Sequence, residues 1–189
     1  MQQRQLAAIA AGFMMVLIAG RPELARADQD DPRLDGLFQR LQHTPNPTEA
    51  QVLEQQIWQV WLESDDAAIN RLMQQGVFAL SAQDYATALQ TFTRMIDQAP
   101  KFAEGWNKRA TVHYLMGNWG ASVRDIQRTL VLEPRHFGAL FGLGLIYEEL
   151  DQPEAALRSF EATLVLNPHS ESTRQMIEQL RQQLRGSPT

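Results

Sequence analysis

The chain of 189 residues contains no cysteine. That removes disulfides, thiolate metal sites, a cysteine nucleophile and a lipid-modified N-terminal cysteine together. Positive charge is also short: the formal net charge is −5, and without residues 1–27, which carry three basic and one acidic side chain, it is −7. Sequence-independent binding to nucleic acid depends on Lys and Arg neutralising phosphates, so no nucleic-acid partner is expected. No Gly-rich phosphate loop, nucleophile elbow or His-Glu-x-x-His motif occurs. Gly142-Leu143-Gly144 falls inside a predicted helix with no strand before it, so it does not make a dinucleotide loop. His43, His113, His136 and His169 are scattered over separate turns and helices, which predicts no metal site. Glu148, Glu149 and Asp151 cluster at one helix end, but with no nucleophile or pocket motif nearby they read as a solvated terminus. These absences predict a protein that is not an enzyme and needs no cofactor. The longest apolar run, Leu6–Ala19, has about 14 residues, short of the roughly 20 that span a bilayer.

What is present is ordinary globular composition, 44% hydrophobic and 21% charged, enough to bury a core. Residues 1–27 read as a signal peptide, with Arg4 in the n-region, the Leu6–Ala19 run, and Ala25-Arg26-Ala27 as a small-x-small cleavage site. The mature protein would begin at Asp28. An uncleaved anchor is the competing reading, because the stretch from Arg21 to Arg26 is long and charged for a c-region. Either way the remainder is expected outside the cytoplasm, in the periplasm if the source is Gram-negative, with membrane contact only through this segment.

From Ile69 to Ser170 one pattern recurs three times at a spacing of 34. Its columns are Leu72, Trp106 and Leu140; Gly76, Ala110 and Gly144; Ala88, Ser122 and Ala156; Phe92, Ile126 and Phe160; and Pro100, Pro134 and Pro168. Large, small, small, large, proline is a packing code for a helical hairpin. Small residues fall where two helices cross closely, large apolar ones fill the space beside the crossing, and the proline stops the second helix. The helix partners are joined by short links near Gln83-Asp84, Gly117-Asn118 and Asp151-Gln152, which makes them antiparallel neighbours.

These columns resemble the tetratricopeptide repeat (TPR) signature. The third copy carries Leu143, Gly144, Tyr147, Ala156, Phe160 and Pro168 at signature positions, with Leu140 replacing the leading Trp. The second keeps Trp106 but has Arg109 for leucine, Ala110 for glycine, His113 for tyrosine and Ser122 for alanine; the first departs at Gln75 and Ala79. The resemblance implies an all-α, right-handed superhelical α-solenoid of helix hairpins with flanking capping helices. The expected division is a signal peptide over 1–27, an N-terminal hairpin over 28–66, three repeats over 67–170 (69–102, 103–136 and 137–170), and a capping helix with tail over 171–189.

The N-terminal hairpin is predicted from Asp31-Pro32 as cap and first turn, an apolar face of Leu34, Leu37, Phe38 and Leu41, and a second helix opened by Asn46 with Glu49 as a capping box. Subtracting 34 from the first repeat's columns lands on Phe38, Gln42, Glu54 and Trp58. The large positions fit and the small ones hold long polar residues, so this is a degenerate or capping pair expected to pack on the first repeat. Trp58 and Trp61 read as core rather than as a stacking pair for a ligand. Met176, Ile177, Leu180 and Leu184 mark the inward face of a last, capping helix opened by Ser170 or Ser172.

The resemblance also implies a concave surface lined by the first helix of each hairpin. Its lining would be Asn70, Met73, Val77 and Leu80; Asn107, Lys108, Thr111 and Tyr114; and Phe141, Leu145 and Glu148. Some relatives hold a peptide's terminal carboxylate there with a Lys, Asn and Arg clamp, of which only Asn107 and Lys108 have counterparts here. A largely apolar groove suits an amphipathic helix or an extended hydrophobic segment of a protein or peptide partner, unless the chain's own N-terminal hairpin or last helix fills it. The expected function is a non-catalytic scaffold or adaptor of the cell envelope, the alternative being a holdase-like chaperone or assembly factor. Self-association into a homo-oligomer is left open.

Overall fold

A computed structural model describes residues 31–186; the predicted signal peptide and residues 187–189 lie outside the described part. Within it all regular structure is helical: α1 (Pro32–His43), α2 (Pro47–Leu62), α3 (Ala67–Ser81), α4 (Tyr85–Gln98), α5 (Ala103–Leu115), α6 (Trp119–Leu132), α7 (Phe137–Glu149), α8 (Pro153–Leu166) and α9 (Glu171–Gly186). The fold is an all-α helical repeat. No helix among the described residues is long and apolar enough to cross a membrane. Two compact units form, one over Leu62–Pro134 with α3 to α6, the other joining Asp31–Trp61 to the residues from Arg135 onward.

In the first unit α3 pairs with α4 and α5 with α6, and the small-residue columns work as their spacing predicts. A Cβ added at Gly76 would lie 2.5 Å from the ring of Phe92, so nothing larger than glycine fits that crossing without moving the ring. Ala88 and Phe92 are fully buried. Where the second hairpin has serine instead of alanine, the Ser122 hydroxyl donates to the Ala110 carbonyl at 2.8 Å, which satisfies a polar group in a tight place. The turns between paired helices share one further column: Gln83, Gly117 and Asp151 all have positive φ, at 59°, 72° and 54°. Only glycine enters that region without steric cost, so two of the three hairpins carry a strained turn residue.

The second unit repeats the crossing, with a Cβ at Gly144 placed 2.5 Å from Phe160 and with Ala156 and Phe160 fully buried. Replacing Ala156 with leucine is therefore expected to overpack the α7–α8 crossing and cost about 1–3 kcal/mol. Ala155, only half-buried, should accept leucine at much smaller cost; equal thermal midpoints for the two variants would overturn this register. Along α9, Thr173, Ile177 and Leu180 are buried, and Ser170 is its cap, its Oγ accepting from the Thr173 N–H at 3.4 Å.

The N-terminal hairpin belongs to the second unit. Leu34, Phe38, Leu41, Leu53, Ile57 and Trp61 form one core with Phe137, with Trp58 and Leu166 packed against it, so within the second unit the hairpin docks on the third repeat. The cause lies in the two long polar residues at the small positions. Gln42 donates to the Val165 carbonyl at 3.3 Å, and Glu54 accepts from the Asn167 side chain at 3.0 Å. Arg135 adds an ion pair to Asp35 at 2.6 Å and lies over the Phe38 ring at 4.9 Å. Asn46 caps α2 as predicted, accepting from Thr48 and Glu49 N–H at 2.9 and 3.3 Å. Glu49 does not close the capping box; its carboxylate turns to the Thr44 hydroxyl and to Arg40, each at 2.6 Å.

Candidate functional site

The eleven predicted lining positions fall into columns of the repeat, and burial separates them. Asn70 and Met73 sit in the first half of α3. Asn70 is committed to a clasp: its amide donates to the Ser64 carbonyl at 2.6 Å and its Oδ1 accepts from the Ser64 N–H at 3.1 Å. Met73 is only 5% exposed and belongs to the core of the first unit with Phe92 and Met95, so it is a core residue and does not line an open groove. Val77 is 40% exposed and Leu80 is half-buried.

On α5 the equivalent first-half positions are again closed. Asn107 is buried, and its Nδ2 donates to Glu104 Oε2 at 3.0 Å. Lys108 Nζ meets Glu104 Oε1 at 2.9 Å, and the Glu104 side chain has no exposed surface. A carboxylate so placed needs both partners to offset its lost hydration, so Asn107 and Lys108 are already engaged. Asn107 is thereby a correction to the expected lining: it serves Glu104, which stands 34 residues after Asn70 and was not among the expected lining residues. The signal was legible, since Glu104 and Lys108 form an i, i+4 acid–base pair in the first turns of a helix. Farther along α5, Thr111 is exposed, with its hydroxyl turned to the Asn107 carbonyl at 3.0 Å, and Tyr114 is half-buried.

The second copy's departures from the signature form a cluster of their own. Arg109 makes a two-pronged contact with Asp125, Nε to Oδ2 at 2.7 Å and Nη2 to Oδ1 at 2.8 Å. Its guanidinium also lies over Trp106, 5.0 Å from the ring centroid, and reaches the Thr93 hydroxyl at 3.3 Å. The hydrogen bonds to Asp125 hold the Arg109 pKa above its usual value against desolvation. His113, 3.9 Å from Asp125, is pushed the other way: burial lowers its pKa more than the Asp125 charge raises it.

In the second unit, Phe141, Leu145 and Glu148 are half-buried. Phe141 is not a free anchor, because its ring packs on Phe160 with centroids 5.2 Å apart. Burial, then the neighbouring Glu149 charge, raises the Glu148 pKa. The first turn of α7 is covered by the chain's own hairpin: a Cβ at Gly138 would come within 2.4 Å of the Trp58 ring. Trp61 stacks on His136 at 4.2 Å. Among the described residues no group of His, Asp and Glu side chains is placed to hold a metal ion.

A tetratricopeptide repeat family model matches residues 107–171. A TPR repeat-containing protein of Rhizobium etli is 34% identical over 157 residues, covering 83% of this chain and 77% of that protein. The chain belongs to the tetratricopeptide repeat family. TPR arrays are non-catalytic protein-interaction modules, and this chain is one. Solved TPR structures share the fold at low identity. The Arabidopsis OM64 TPR domain has a TM-score of 0.58 at 20% identity, covering 61% of this chain and 95% of that one. The first TPR of Spaghetti, bound to HSP90 peptide SRMEEVD, has a TM-score of 0.60 at 19% identity, with 62% and 94% covered.

Proposed function

We propose that this TPR protein is an exported scaffold or adaptor that holds an apolar segment of a protein partner along α3 and α5. The observation that carries the reading is a contrast within one unit. The first-half columns are spent on the core and on the Glu104 pair, while Val77, 40% exposed, and its column-mate Thr111, also exposed, stay open beside half-buried Leu80 and Tyr114. An open apolar strip on paired helices suits an amphipathic helix or an extended hydrophobic segment. Because Lys108 is neutralised by Glu104, the strip offers little to a terminal carboxylate.

Val77→Asp with Thr111→Asp should leave the thermal midpoint nearly unchanged, since exposed substitutions stay within about 0.5 kcal/mol. Partner recovery from the source cell should fall about thirtyfold, corresponding to the roughly 2 kcal/mol that an anchor contributes. Unchanged recovery would remove the strip from the reading. An adaptor should return one or two defined proteins at native copy number; a broad set of unfolded chains would favour a holdase.

The location rests on the Leu6–Ala19 run and Ala25-Arg26-Ala27. Mass spectrometry of the protein from its own host should find Asp28 at the N-terminus, and intact Met1 in the soluble cytoplasm would end the periplasmic reading.

A further inference from the structure

The first turn of α7 is built around an absent side chain. Gly138 lies in regular helix without a positive φ, so the backbone does not require glycine there, and alanine would favour the helix. What glycine provides is room: a Cβ would lie 2.4 and 2.8 Å from the Cη2 and Cζ2 atoms of Trp58. The Trp58 ring rests in this socket, in edge contact with Phe137 and His136 at 5.4 and 5.5 Å. One turn on along α2, Trp61 lies flat on His136, with 4.2 Å between centroids and 10° between planes. One turn back, Glu54 accepts from the Asn167 side chain at 3.0 Å. Glu54, Trp58 and Trp61 stand at i, i+4 and i+7, so a single face of α2 makes all three contacts. All of these residues belong to the second unit.

Two features set this contact apart from the crossings within the repeats. Gln42 and Glu54 fill the small columns, so the hairpin lacks the interlocked crossing that Gly144 makes with Phe160. Trp61, with no exposed surface, buries an indole N–H that finds no acceptor among the described residues. Docking leaves that hydrogen bond unmade, and release into water restores it. The chain between Trp61 and Arg135 forms a compact unit of its own, so the hairpin can leave α7 and α8 without breaking a helix pair of any repeat.

We propose that the α7–α8 face is a helix-binding site whose resident is the chain's own hairpin, and that a partner protein displaces it with an amphipathic helix of the same pattern. The contacts of the resident define that pattern: an acidic or amide side chain for Asn167, a large ring four positions on for the Gly138 socket, and a second ring at seven for His136. Phenylalanine at the last place keeps the stack and omits the unmade hydrogen bond, so a partner helix can match α2 more than side chain for side chain. Against it α2 holds the advantage of its tether, which keeps it at high local concentration. The site lies in the second unit and does not rest on the Val77–Thr111 strip of the first.

The probe is a fluorescein-labelled peptide of residues 47–62, the span of α2, carrying Trp61→Phe and titrated into the full chain by fluorescence anisotropy. Asp35→Cys with Arg135→Cys replaces an ion pair 2.6 Å long between hairpin and repeat, and the chain has no other cysteine. Tethered by a short bismaleimide, this variant should lose peptide binding, whereas untethered it should bind at least as well as the native chain. Trp58→Ala empties the socket and should bind the peptide about tenfold more tightly or better, because the resident no longer competes. Adding Gly138→Ala fills the socket and should remove that gain. Equal binding with and without the tether overturns the proposal, and this comparison stands even if Trp58→Ala loses its cooperative helical melt. Binding that survives Gly138→Ala would place the peptide elsewhere and also overturns it. Dimers of the native chain that the tether abolishes would make the occupant a second copy's hairpin, and the assignment to a partner protein would fall.

Discussion

Asp125→Ala should destabilise the first unit by about 3 kcal/mol, because breaking a buried ion pair from one side costs about 3–5 kcal/mol. Asp125 is 4% exposed and receives two hydrogen bonds from Arg109; removing it leaves a guanidinium in a pocket shaped for an ion pair. The 18% of the Arg109 side chain that reaches solvent places the loss at the lower end of that range. Adding Arg109→Leu, which restores the residue type of the TPR signature, should recover most of the loss, because an apolar replacement of the whole pair is often neutral or better. A double-mutant cycle by chemical denaturation measures this directly. Additive losses would show that Arg109 and Asp125 act separately and would overturn the pairing.

Trp61→Ala should cost the second unit about 3–5 kcal/mol, the range for truncating a buried aromatic. Trp61 has no exposed surface and touches four rings, with centroids at 4.2 Å to His136, 4.9 Å to Phe137, 5.3 Å to Trp58 and 5.9 Å to Phe38. Trp61→Phe should be far milder. Its indole N–H has no acceptor among the described residues, so phenylalanine gives up volume but also removes an unsatisfied buried donor. Equal losses for the two variants would mean that the stacking geometry, and not ring burial, holds the hairpin.

The repeat itself was legible because packing at a helix crossing tolerates few side chains: Gly76 and Gly144 under Phe92 and Phe160 leave no room for alternatives. Docking of the N-terminal hairpin was not legible. Gln42 and Glu54 announce that the usual crossing is absent, but their partners are 123 and 113 residues away, and no local pattern encodes a contact at that separation. The groove residues were readable as columns but not as open or closed positions. Met73 is drawn into a core with Phe92 and Met95, and Asn107 is turned inward by Glu104, whose burial depends on tertiary packing that periodicity does not describe. The second repeat's mismatches at Arg109 and His113 looked like decay of the motif, whereas Asp125, sixteen residues on, makes Arg109 part of a matched pair.

The stack of Trp61 on His136 has an optical consequence. Four tryptophans divide evenly, Trp58 and Trp61 in one unit, Trp106 and Trp119 in the other. Trp61 is sealed among rings with no exposed surface, while Trp106 lies beneath the guanidinium groups of Arg109 and Arg128 at 5.0 and 5.9 Å. The two halves of the chain thus carry native fluorophores in different surroundings, and emission wavelength can follow the opening of each half without any attached label.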